Sequence, residues 1–294
     1  MTFLALLTKE LRLRMRRERT VWVIIVYILL MGLLGWFYIS SFNNGYGYTA
    51  YSLSTVGTQL YTLLSEIQLF LILFVTPAFT STAMNGEKER QTYDLLLCSR
   101  LSSFSLVSGK LVAGLANALL LIAASAPLFS LVFFFGGVSP IQVLTALLVF
   151  VVTTFMVGTF GMFCSTVFKR PAVSTSVTYM AGVLWLTMPL VIYFILLISN
   201  NLRGGYQQSA LFIWNPIVAL ISTYSNNSPG TAGLITVGKL NVIAWVGYTI
   251  LCVAATLVFF LLSMLAAKPN PINRLRMRRA RKKASAEQNV SATV

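Results

Sequence analysis

The feature that most constrains this chain is a run of 58 residues, 111–168, without a single aspartate, glutamate, lysine or arginine. A helix that crosses a bilayer needs about 20 apolar residues, so this run is too long for one crossing and long enough for two. Residues 136–140, Gly-Gly-Val-Ser-Pro, divide it, with Ser139 as the N-cap and the proline at the first helical position of the second half. The sequence therefore predicts two membrane helices, at about 109–135 and 140–167, joined by a tight external turn.

Composition extends this conclusion to the whole chain. Of its 294 residues, 57% are hydrophobic and 10% are charged, whereas soluble domains carry about 25% charged residues. The net charge of +15 is concentrated, because twenty of the 22 lysines and arginines fall at 1–20, 85–110, 169–170 and 268–294. Basic clusters at alternate ends of apolar spans follow the positive-inside rule, so the charge predicts a membrane topology and no nucleic-acid partner.

Six membrane spans with both termini in the cytosol account for these clusters. The spans are predicted at about 21–39, 62–84, 109–135, 140–167, 175–199 and 240–266. The stretch 40–65 has no lysine or arginine and is predicted to be an external loop. The external region 200–239 contains an apolar segment, 211–224, which is too short to span and is interrupted at Asn215; this favours a re-entrant or interfacial helical hairpin. The predicted fold class is an all-α integral membrane protein with a single domain, 1–267.

Both ends of the chain are basic. Residues 1–20 predict an interfacial elbow helix, in which Lys9, Arg12 and Arg16 lie opposite an apolar face and reach the lipid headgroups. A simple positive anchor is the alternative. The tail 268–294 begins with a basic run and continues as a polar segment, which predicts a disordered cytosolic tail attracted to anionic lipid.

Residues 85–110 are the one internal segment that groups charges of both signs, and apolar runs flank it on each side. Its pattern is helical: Glu87 and Glu89 open it, Arg100 closes it, and apolar side chains recur on one face. These apolar side chains are Tyr93, Leu96, Leu97 and Leu101. Acidic residues at the start and basic residues at the end suit the helix dipole, and Asn85 fits the N-cap position. The segment predicts a short amphipathic cytosolic helix that can receive a soluble partner.

The residue types used by most catalytic and metal sites are scarce. The chain has no histidine, seven acidic residues and three cysteines, which argues against His-dependent metal sites and against Ser-His or Cys-His catalysis. Residues 233–240, GLITVGKL, match the first seven positions of a phosphate-binding loop. However, Leu240 stands where a serine or threonine is required, and the predicted topology places the stretch outside. We therefore expect no enzyme activity, no metal and no cofactor in this chain.

Glu66 is the single acidic residue near the membrane outside the predicted cytosolic segments. An ionisable group at membrane depth predicts a functional role, here in a gate or a cavity lining. We favour the alternative, a carboxylate at the start of a helix near the outer interface, where the helix dipole stabilises a negative charge. Pro77 in the second span and Pro189 in the fifth predict kinks in those helices.

Pro77-Ala78 and the following run, GEKERQTYDLLLCSRLSSFSLVSGK, resemble the permeases of ABC-2 type ABC transporters. Those permeases show a Pro-Ala pair late in span two, a charged Glu-x-Glu-Arg-x-x-Thr run, then Leu-Leu, Leu-Ser and Gly-Lys. The matching positions are Glu87, Glu89, Arg90, Thr92, Asp94, Leu95, Leu96, Leu101, Ser102, Gly109 and Lys110. The chain departs at residues 98–100, Cys-Ser-Arg, where many members have a Thr-Pro-like pair. The elbow sequence, the six spans and the interrupted external segment are similar as well.

The resemblance implies a membrane subunit without an ATP site, with ATP and Mg²⁺ held by separate cytosolic ABC ATPase subunits. Two permeases, identical or homologous, would pair with two ATPases in the plasma membrane, here a bacterial inner membrane. The segment 87–101 would be the coupling helix that docks on the ATPase. Its implied coupling residues are Glu87, Glu89, Arg90, Thr92, Tyr93, Asp94, Leu96, Leu97 and Arg100.

Spans two and five would border the export path, so Glu66, Pro77 and Pro189 are the candidates for a path or gate. The alternative is a non-transporting membrane scaffold or signalling subunit that docks on the same ATPase. An intramembrane enzyme is disfavoured, because the chain lacks histidine and offers one candidate acid.

Overall fold

The computed structural model describes residues 18–43, 50–89, 103–198, 210–225, 234–237 and 240–267. Within them the chain is helical apart from two short strands. The long helices are α1 (Glu18–Asn43), α2 (Ala50–Thr80), α4 (Ser103–Phe135), α5 (Pro140–Val167), α6 (Pro171–Ile198) and α8 (Ala244–Ala266). The short elements are α3 (Asn85–Glu89), a 3₁₀ helix (Ala210–Trp214), α7 (Pro216–Ser225), β1 (Leu234–Val237) and β2 (Leu240–Ile243). Six helices of the described residues are long and apolar enough to cross a membrane.

Helix α2 begins well before the predicted second span. The sequence predicted an external loop up to residue 65, whereas the chain is already helical from Ala50. Serine, threonine, glycine and tyrosine residues gave this stretch the character of a loop. Nevertheless Val56, Leu60 and Tyr61 are buried in the bundle. Tertiary packing therefore overrides the weak helix propensity of this part of α2.

The turn between α4 and α5 is the one that the sequence predicted. The Ser139 hydroxyl accepts from the Gln142 N–H, and the Gln142 side chain accepts from the Ser139 N–H, which completes a capping box. Gly136 and Gly137 have φ values of 77° and 84°, in the left-handed region that favours glycine. The turn also lies directly against α2. The contact is so close that a Cβ atom added to Gly57 would lie 2.0 Å from the Gly136 carbonyl oxygen. Position 57 therefore accepts a glycine and no larger residue without rearrangement.

Helix α5 lies at the centre of the bundle. It packs against α2, α4, α6 and α8. In its most apolar stretch 56% of the residues are buried, compared with 6% in the corresponding stretch of α6. Edge-to-face and tilted ring contacts join α2, α4 and α5 through Tyr61, Phe129 and Phe150. Most apolar side chains of α1 and α6 remain exposed instead. Extended apolar surfaces of this kind are typical of a contact with membrane or protein.

The segment before α8 is interrupted where the sequence predicted. The 3₁₀ helix ends at Trp214 and α7 starts at Pro216, while the side-chain oxygen of Asn215 accepts from the Ile217 N–H at 2.9 Å and caps α7. The Asn215 amide nitrogen also donates to the Leu186 carbonyl at 3.2 Å, which fixes the segment to α6. A re-entrant or interfacial position of this segment stays a prediction.

The two strands were not predicted. They pair antiparallel, with Leu234 opposite Ile243 and Val237 opposite Leu240, so the last long helix starts at Ala244 rather than near residue 240. Branched side chains in LITV and LNVI suit this extended conformation. A phosphate-binding loop leads from a strand into a helix, whereas the similar stretch here extends from one strand into its antiparallel partner.

The predicted elbow helix, with Lys9, Arg12 and Arg16, lies outside the described residues, although residues 18–20 of the predicted range belong to α1. The tail 268–294 lies outside them as well. Both stay predictions.

Candidate functional site at helix α3

The start of helix α3 is hydrogen-bonded to the last turn of α5. The backbone N–H groups of Met84 and Asn85 donate to the Ser165 hydroxyl oxygen at 2.9 and 3.1 Å. The Asn85 side chain is fully buried, and with its amide nitrogen turned toward α5 it donates to the carbonyls of Ser165 and Phe168. The Ser165 hydroxyl thereby satisfies N–H groups at the start of α3, and the Asn85 side chain satisfies carbonyls at the end of α5.

Lys88 completes this contact from the next turn of α3. Its ammonium group donates to the Thr166 carbonyl at 2.5 Å. A cation at the C-terminal end of a helix also interacts favourably with the helix dipole. Burial, and secondly the Lys169 charge, lowers the pKa of Lys88 from its ordinary value.

An ion pair links α3 to α4. The Lys110 ammonium pairs with the Glu87 carboxylate, and the two side chains are 5% and 25% exposed. Lys110 also donates to the Ala83 carbonyl at 3.1 Å. The Lys110 charge is thus nearly removed from solvent, and Glu87 compensates it across 23 residues of sequence.

Helix α6 is hydrogen-bonded to Ser81, in the turn that precedes α3. The Ser174 hydroxyl donates to the Ser81 carbonyl at 2.8 Å, and the hydroxyls of Ser81 and Thr175 lie 3.0 Å apart. We call residues 81–88 and their partners on α4, α5 and α6 the junction. Displacement of α3 is therefore resisted by its own contacts with α4 and α5, and displacement of the turn before it by the contacts of Ser81 with α6.

The candidates for a path or gate lie on α2 and α6. Glu66 is half-buried in the interior of α2, sixteen residues after its start, so the helix-start interpretation was wrong. It lies nine residues, about 13 Å, from Gly57, which contacts the α4–α5 turn. Pro77 and Pro189 lie inside their helices and are buried. As buried residues they line no open surface of this chain.

A family model described as "ABC-2 family transporter protein" matches residues 46–265. The chain belongs to the ABC-2 transporter family. The match covers helices α2 to α8 apart from the last residue of α8, and it includes the whole junction. Curated proteins offered no match to the chain. The family assignment confirms the resemblance noted in the sequence and indicates a permease component of an ABC transporter, within a system that has a cytosolic ATPase partner.

For this ABC-2 family member, the structure describes two of the proposed coupling residues. Glu89 is exposed at the end of α3, whereas Glu87 is directed inward to Lys110. The other seven, together with most of the predicted coupling helix, lie outside the described residues; they are Arg90, Thr92, Tyr93, Asp94, Leu96, Leu97 and Arg100.

The sequence did not reveal which residues of the long helices contact residues 81–88. Ser165 and Ser174 lie in apolar helices and belong to no motif, so no local pattern marks them. Lys88 and Lys110 did stand within the charged segment. Their partners on α5 and α3 become evident only from the packing of the bundle.

Proposed function

We propose that this chain is the membrane subunit of an ABC exporter and that segment 87–101 couples it to a separate cytosolic ATPase. The observation that carries the proposal is the junction. It fastens residues 81–88, which lead into this segment and include its first two residues, to α4, α5 and α6 through buried hydrogen bonds and the Glu87–Lys110 pair. A partner that moves the segment would therefore act on four long helices together.

In this proposal the junction faces the cytosol, and both termini lie on the same side. The α4–α5 turn and α7 face the opposite side. ATP and Mg²⁺ bind to the ATPase, and closure of the ATPase pair changes the relative population of two arrangements of the bundle. A second permease copy or a homologous permease completes the path, which α2 and α6 border; Glu66 faces it, and Pro77 and Pro189 are the buried points at which the two helices can bend as a gate. The transporter resides in the plasma membrane, which in a bacterial cell is the inner membrane.

The proposal is tested with the double variant Glu89→Ala/Leu96→Ala in the full chain co-expressed with its ATPase. Glu89 is exposed and available to a partner, and lost interface contacts of this kind cost roughly 2–5 kcal/mol where they are buried in the complex. We expect the variant to remain folded in the membrane and to retain at most about a tenth of the co-purifying ATPase, the factor that corresponds to about 1.4 kcal/mol.

The matched control is Arg278→Ala/Arg279→Ala in the basic tail. We expect this variant to keep the ATPase and to weaken lipid attachment alone, because juxtamembrane basic residues each contribute about 1 kcal/mol of attraction to anionic lipid. The opposite pattern, in which the tail variant loses the ATPase and the segment variant keeps it, would overturn the proposed docking site.

A further inference from the structure

One face of α2 remains open along most of its length. Side chains spaced three or four residues apart share a face of a helix, and on this face none is buried. We call these residues the α2 stripe: Thr55, Gln59, Thr62, Glu66, Phe70 and Phe74. The stripe is polar from its beginning to Glu66 and aromatic beyond it. Phe70 and Phe74 are 44% and 62% exposed.

Helices α1 and α6 border the stripe on its two sides. Tyr38 of α1 donates to the Gln59 side chain. Tyr179 of α6 donates to the Phe74 carbonyl at 2.7 Å, and its ring lies 6.0 Å from the Phe74 ring. Helix α1 packs on α2 and α4, and α6 packs on α5 and α2, so the stripe is a face of α2 that these two helices contact near its ends and leave open between.

Glu66 carries a charge that the described residues do not compensate. It makes no hydrogen bond or ion pair with them, and it is the sole acidic or basic residue in helices α2, α5, α6 and α8. Glu66 lies fourteen residues, about 21 Å, from Thr80 at the junction end of α2, so with the junction at one interface it lies in the outer third of a hydrocarbon core of about 30 Å. An ionised side chain at such depth is costly unless a charge of opposite sign or water meets it.

We propose that Glu66 binds the positive charge of an amphipathic organic cation, which is the class of substrate that this permease carries. The carboxylate provides the counter-charge. Thr62 and Gln59, one and two turns toward the α4–α5 end, offer hydrogen bonds to polar groups of the substrate. Phe70, one turn toward the junction, offers an aromatic face to its cationic or apolar part. The inference rests on the proposed function, because the cation is a substrate only if the chain is a permease.

The test measures binding of two probes of equal shape and opposite charge, tetraphenylphosphonium and tetraphenylborate, to the purified full chain in detergent. We expect the chain to bind the phosphonium cation more tightly than the borate anion. Glu66→Gln should weaken binding of the cation at least about tenfold and leave binding of the anion unchanged or improved. Equal affinity of the wild-type chain for both probes, or unchanged binding of the cation by Glu66→Gln, would overturn the proposal.

Two further variants keep the test decisive if Glu66→Gln folds poorly. Glu66→Asp retains the charge and should retain the preference for the cation, while Phe70→Ala should weaken binding of the cation by about fivefold, the factor for one cation–π contact of about 1 kcal/mol. Glu18→Gln removes a carboxylate from the start of α1 and serves as the control without effect. A loss of cation preference in Glu66→Asp, or full binding by Phe70→Ala, would contradict the site.

Because the probes bind the isolated chain, this result is separable from the coupling experiment. If Glu66 proves indifferent while Glu89→Ala/Leu96→Ala loses the ATPase, the substrate site is wrong and the permease function stands. If the cation preference holds while the ATPase stays bound to that double variant, the docking segment is wrong and the cation site stands.

Discussion

Glu66 and Glu87 are consecutive acidic residues in the sequence, but their surroundings in the structure are opposite. Glu87 lies in the junction, where Lys110 of α4 neutralises it. Glu66 lies on the open α2 stripe, and the described residues offer it no partner. The comparison teaches that one charge belongs to the protein's own architecture, whereas the other has no counter-charge in the part of the chain that the structure describes.

The same substitution at the two carboxylates should therefore give opposite results, and the larger effect belongs to Glu87→Gln. The Lys110 side chain is 5% exposed, so it would lose its counter-charge in a buried position. We expect the free energy of unfolding in detergent to fall by about 3 kcal/mol. Adding Lys110→Met should recover more than half of this loss. A single variant as stable as wild type would show that the pair is not structural.

Ser165→Ala should have the next largest effect. Its hydroxyl accepts from the N–H groups of Met84 and Asn85 in a buried position, and unsatisfied buried donors cost about 1–3 kcal/mol. The matched control is Ser108→Ala, whose hydroxyl donates to a carbonyl of its own helix, Phe104, on an exposed surface. Chemical unfolding of the two variants side by side should separate them by more than 1 kcal/mol. Equal stability would mean that the Ser165 hydroxyl does not stabilise the junction.

The smallest effect on stability is expected for Glu66→Gln. With no described partner to lose, the variant should unfold within about 0.5 kcal/mol of wild type, and removal of an uncompensated charge at membrane depth favours a small gain rather than a loss. Thermal unfolding in the same detergent checks this. A loss above about 1.5 kcal/mol would reveal a structural partner for Glu66 and would erase the contrast with Glu87.

Local sequence signals predicted the bounds of α5 well and the start of α2 poorly. Residues 136–140 contain glycine, serine and proline, each with its own backbone reason for ending or starting a helix, so the bounds of α5 agree with the predicted span. At the start of α2 the residue types are individually neutral or unfavourable for a helix. The contact between Gly57 and the α4–α5 turn, 79 residues further on, contributes to their conformation.

The candidate sites also combine features that local sequence signals predict with features that only the packing of the helices decides. Because charge is rare in this chain, the charged segment that contains Glu87, Lys88 and Lys110 could be recognised in the sequence as a candidate site. Which of these face inward and which face a partner depends on the packing of α4 and α5, which no pattern within the segment encodes. The start of the helix that carries Glu66 was misjudged for a related reason, since it depends on the contact of Gly57 with the α4–α5 turn.

The close contact at Gly57 has a mechanical consequence. A helix fixed near one end moves most at the other, and α2 extends 23 residues, about 35 Å, from Gly57 to Thr80. A tilt of about 5° around that fixed point displaces Thr80 by about 3 Å, while it moves Glu66, about 13 Å away, by only about 1 Å. With the glycine contact held in place, a tilt of α2 would therefore move the junction further than the carboxylate, which lies between the fixed point and the junction.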